Sequence, residues 1–92
     1  MNDKDQLLNL CNGKMKGADF LQAHIYRQIK KIVADHDSIE DIKVEVEALQ
    51  LVQQFLANQM AHQGQGYDVL ETAMFPIVIY SAFLLYLKRF LP

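Results

Sequence analysis

Ninety-two residues with a formal charge of −2 make one domain at most, near the low end for a chain that builds its own core. Half of the residues are apolar, which excludes a chain that stays unfolded. The single cysteine, Cys11, excludes an internal disulfide and a multi-cysteine zinc site. The small negative charge gives no overall attraction to nucleic acid or to an anionic membrane.

Charge is unevenly placed. Residues 1–47 hold nine acids and seven bases, whereas residues 48–92 hold only Asp68, Glu71, Lys88 and Arg89. Glycine and proline are scarce and alternating β-branched runs are absent, so the expected fold is all-α. The reading is one domain over 1–92, a small antiparallel bundle of four to five helices with an apolar C-terminal helix. The polar, acidic start MNDKDQ is unlike a secretory or mitochondrial leader, and the expected location is the cytoplasm.

A first helix is expected from about Asp3 to Cys11, capped by Asn2 or Asp3 and stopped by Asn12-Gly13. Leu7, Leu10 and Cys11 mark its buried side. The second should run over 18–34, where Leu21, Ile25, Ile29, Ile32 and Val33 recur every three to four residues. Ser38, with Asp41 three residues on, marks the start of a long third helix over 38–61. Its seam is Ile39, Ile42, Val46, Leu49, Val52, Leu56 and Met60, flanked by Leu51 and Phe55. The other side is rich in amides, Gln50, Gln53, Gln54, Asn58 and Gln59, and reads as a solvated face, with a polar interface as the alternative, since amides can be buried without stripping a charge of water.

HQGQGY, residues 62–67, is a loop by its two glycines. Asp68 can cap a short turn over 68–74. Pro76 lacks an N–H and biases Phe75 away from helical angles, so the last helix should start afresh over 76–90. That helix has no polar face. Ser81 stands nearly alone between Ile77 and Lys88, and such a helix is buried on all sides or lies in lipid.

Lipid is disfavoured by length. Thr72 to Leu87 covers about 24 Å as a helix, against about 30 Å of hydrocarbon. A lone four-helix bundle would leave about five of these side chains wet, at about 1.5–3 kcal/mol each. The expected function is therefore non-enzymatic: a helical protein–protein interaction module of adaptor, chaperone or inhibitor/immunity type. It would bury its C-terminal helix against itself or a protein partner, with Tyr80, Phe83, Leu84, Tyr86, Leu87 and Phe90 as contact residues. These residues also read as intramolecular core, and the further alternatives are a small membrane-associated protein anchored by 72–91 and a weak nucleic-acid-binding regulator using Lys14, Lys16, Arg27, Lys30 and Lys31.

Sites of chemistry are sparse. His24, His36 and His62 fall on different elements without H-x-x-x-H or E-x-x-H spacing, so DHD at 35–37 reads as an acidic turn. NGKMKG, residues 12–17, lacks the phosphate-loop spacing, and Cys11 reads as a small buried hydrophobe. No catalytic residue, metal ligand or cofactor is expected.

Overall fold

The computed structural model describes residues 2–92 and is all-helical, with no strand among the described residues. Four α-helices follow in order, α1 (Asp3–Met15), α2 (Phe20–Asp35), α3 (Ile39–His62) and α4 (Tyr67–Leu87). A short 3₁₀ helix, Lys88–Phe90, closes the chain. The molecule is elongated, about 47 × 29 × 20 Å. α1 packs along α2 and α3 packs along α4, with thinner contact between the two pairs.

Three helix starts are fixed by short polar side chains. The Asn2 side chain accepts from the Asp5 amide at 2.8 Å and Asp19 from the Gln22 amide at 2.8 Å. Ser38 accepts from the Asp41 amide at 3.1 Å. Each satisfies an amide that the first turn leaves without a helical partner. At the end of α3 the Gly64 amide donates to the Ala61 carbonyl and the Gln65 amide to the Met60 carbonyl. This pair of bonds requires a left-handed residue, and Gly64 supplies it with φ +72°. The chain turns back there, and α4 returns along α3.

Two expected boundaries are corrected. Asn12-Gly13 does not stop α1, which runs to Met15; Gly17, with φ +67°, makes the left-handed turn instead. Pro76 does not divide the C-terminal segment: 68–74 and 76–90 are not separate helices, since α4 runs unbroken through Pro76. The missing N–H of Pro76 leaves only the Thr72 carbonyl without its usual helical donor, and Thr72 is an exposed residue. Packing against α3 along its length holds the helix together.

The core gathers at one end. It joins Leu7 and Cys11 of α1, Ile25, Tyr26, Ile29, Ile32 and Val33 of α2, Ile42 and Val46 of α3, and Ile79, Tyr80, Phe83 and Leu87 of α4. Beyond it, along the rest of the α3–α4 hairpin, the only buried apolar residues are Ala57 and Ala73.

Pro76→Ala restores an N–H within an intact helix, so it should stabilise the fold by about 1–3 kcal/mol. Urea unfolding followed by circular dichroism measures this. A loss of stability would mean that the proline is required for the path of α4.

Candidate functional site

The residues expected to form a contact surface divide into two groups. Tyr80, Phe83 and Leu87 are buried inside the chain, facing α1, α2 and the start of α3. Leu84, Tyr86 and Phe90 are half-buried and pack against that core. Tyr86 meets Phe90 edge-on at 5.7 Å, and the Arg89 guanidinium lies 4.8 Å from the Tyr86 ring centre. Leu84 opens onto a cleft shared with Glu40, Lys43, Glu47, Lys88 and Leu91. The side of α4 that lies open to solvent carries other residues: Tyr67, Met74, Val78 and Leu85, the last two 64% and 63% exposed.

The larger difference is on α3. Its amides were expected to face water, yet Gln50 and Gln53 point at α4. Gln50 Nε2 donates to Ser81 Oγ at 2.5 Å, and Gln53 Nε2 donates to the Ala73 carbonyl at 2.7 Å. Both glutamines are half-buried. Ala57 and Ala73 are buried where the helices meet, and Met60, Leu70 and Ile77 are half-buried along the same hairpin, so these bonds and small residues let the two helices approach closely. Gln54, Asn58 and Gln59 are exposed as expected.

Turning Gln50, Gln53 and Ala57 inward turns the opposite face outward. Val44, Leu51 and Phe55 are 63%, 65% and 62% exposed, with Val52 and Leu56 beside them. Of the expected seam, Ile42 and Val46 are buried and Ile39, Leu49 and Met60 half-buried, whereas Val52 and Leu56 are open. An exposed apolar surface of this size is uncommon on a small chain. The sequence carried the signal in Val44, Ala48, Leu51 and Phe55, which repeat by four, three and four.

No family model matches the chain. Nor does any curated protein or any solved structure match it.

Among the described residues no three of His, Cys, Asp and Glu converge as metal ligands. His36 Nε2 pairs with the Glu45 carboxylate, tying the α2–α3 turn to α3. His24 stacks on Phe20 at 6.2 Å. Cys11 is fully enclosed, and burial pushes its thiol up to about 11, against a weaker opposing pull from Lys30. Burial also raises the phenols of Tyr26 and Tyr80. Arg27 and Lys31 are exposed on α2.

Gln53→Glu replaces a donor with an acceptor facing the Ala73 carbonyl, and should cost about 2 kcal/mol at pH 7. Burial beside a carbonyl holds the new carboxyl's folded pKa above its unfolded value near 4.3. The penalty is therefore full at neutral pH and shrinks as pH falls toward about 4. Gln54→Glu, at an exposed position, should change stability by less than about 0.5 kcal/mol. Equal effects of the two variants in urea melts would contradict the inward placement of Gln53.

Proposed function

We propose that this chain is a non-enzymatic helical protein–protein interaction module, an antiparallel bundle that works by burying apolar helix surface against another protein chain. The observation that supports this reading most is the outward apolar stripe of α3, with Val44, Leu51 and Phe55 each more than 60% exposed. The open side of α4, through Met74, Val78 and Leu85, adds to it. The contact surface so defined shifts from the residues expected on sequence grounds to the opposite side of α4 and to α3. Leu84, Tyr86 and Phe90 lie at its margin as half-buried side chains. An adaptor, a dedicated chaperone and an inhibitor or immunity-type protein would all use such a surface, and burial of its aromatic and leucine side chains would supply most of the affinity.

A second reading is favoured by one observation. Because α4 is unbroken at Pro76, its 21 residues reach about 31 Å, which removes the shortfall in length against a bilayer. The segment Tyr67–Phe90 is long and apolar enough to cross a membrane, and only 22% of its apolar window is buried. Against that reading, Ile79, Tyr80, Phe83 and Leu87 of α4 cover Leu7, Ile25, Ile29 and Val33. Drawing α4 into lipid would strip these from the core of the α1–α2 pair, at about 1.5–3 kcal/mol for each large side chain exposed.

Sedimentation velocity over a concentration series, with liposome flotation in parallel, separates the two. An interaction module should stay with the soluble fraction and sediment as an assembly, either alone or with a purified binding protein. Leu51→Lys should weaken that assembly roughly 30-fold or more while leaving helicity unchanged. Flotation with liposomes, undiminished in Leu51→Lys and lost in Val78→Lys, would overturn the reading in favour of an α4 anchor.

A further inference from the structure

Resting on that reading, we propose that the partner of α3 is a second copy of this chain, docked antiparallel along the seam of Val44, Ala48, Leu51 and Phe55. Three features of the helix carry the inference.

The spacing comes first. Positions 41, 44, 48, 51, 55 and 58 alternate steps of three and four, the repeat that keeps one face of a helix against another helix over several turns. All six positions are exposed. They lie opposite Val46, Gln53 and Ala57, which face inward, so a second helix can reach them without displacing α4.

Size complementarity sets the direction. In an antiparallel pair whose symmetry axis passes between positions 49 and 50, Val44 meets Phe55 of the second copy and Ala48 meets its Leu51. Both apolar layers then join a smaller side chain to a larger one, which fills space evenly. In a parallel pair Ala48 would face Ala48 across a void and Phe55 would crowd Phe55.

Charge acts the same way. The charges of α3 all lie in its first half, at Glu40, Asp41, Lys43, Glu45 and Glu47, while residues 48–61 carry none. Parallel pairing would align two net-acidic halves. Antiparallel pairing lays each acidic half beside the other copy's amides, with Asp41 against Asn58 and Glu40 near Gln59. The area is close to what is needed. A specific interface needs roughly 1,000 Å² in total; the exposed parts of Val44, Leu51, Phe55 and the flanking Val52 offer about 450 Å² per copy, and the exposed Asp41, Ala48 and Asn58 of the same face add the rest.

The experiment uses the full chain, with native Cys11 retained because it is enclosed in the core. Sedimentation equilibrium should show a monomer–dimer exchange whose dissociation constant rises roughly 30-fold or more in Leu51→Lys and changes less than about threefold in Val78→Lys. Orientation is read from two single variants, Asp41→Cys and Asn58→Cys, under mild copper-catalysed oxidation. Mixed together they should cross-link to each other, and neither should cross-link to itself, because like positions stand about 25 Å apart in the antiparallel pair. A self-cross-linked Asp41→Cys variant would overturn the orientation. A dimer lost in Val78→Lys but kept in Leu51→Lys would move the contact to α4 and overturn the seam. A wild-type chain that stays monomeric yet binds a different purified protein through Leu51 would overturn self-association and leave the interaction reading standing.

Discussion

Where α3 meets α4, from Ser81 toward the Gly64 turn, two glutamines and two alanines form the contact, and the character of the molecule follows from them. Gln50 reaches Ser81, Gln53 reaches the Ala73 carbonyl, and Ala57 and Ala73 fill the space between. A seam of this kind is narrow and directional. It satisfies its own polar groups, but removes little apolar surface from water. Val46 and Leu49 turn inward, whereas Val44, Leu51, Val52 and Phe55 of α3 face solvent.

The two ends of the hairpin differ for a physical reason. Near the chain termini α4 has neighbours on several sides, and Ile79, Tyr80, Phe83 and Leu87 disappear among residues from α1, α2 and α3. Toward the Gly64 turn α4 has mainly α3 for company, and Tyr67, Val69, Met74 and Val78 stay open. The helix is apolar along its whole length, but the chain holds only enough helix to enclose one end of it. The compact end can keep the fold, and the open end is then available for contact with another molecule. That division also weighs against a membrane span, since the half of α4 that is already enclosed is the half that stabilises the α1–α2 pair.

Much of this was legible in the residues. The apolar spacing of Ile25, Ile29, Ile32 and Val33 fixed the inner face of α2, and Asn2 and Ser38 marked helix starts by capping chemistry that is local in sequence. Pro76 misled, because the cost of a proline within a helix depends on whether the orphaned carbonyl meets water and on what packs alongside. The face of α3 misled for a related reason. Its apolar residues spread over most of its circumference, so periodicity could not tell an inward leucine from an outward one. Only the partner helix decides, and Ser81 and the Ala73 carbonyl favour amides. Tyr80 and Phe83, read as contact residues for another chain, find cover within this one. The surface left over belongs to residues that look less conspicuous in sequence, such as Val44 and Leu51.

The central claim is that the outer face of α3 lies against another protein surface in the working state. Hydrogen–deuterium exchange over residues 44–62, followed as a function of protein concentration, tests it most directly. Protection of this stretch should rise with concentration while the enclosed part of α2 stays constant. Exchange that is fast and independent of concentration, in the free chain and in every assembly it forms, would contradict the claim.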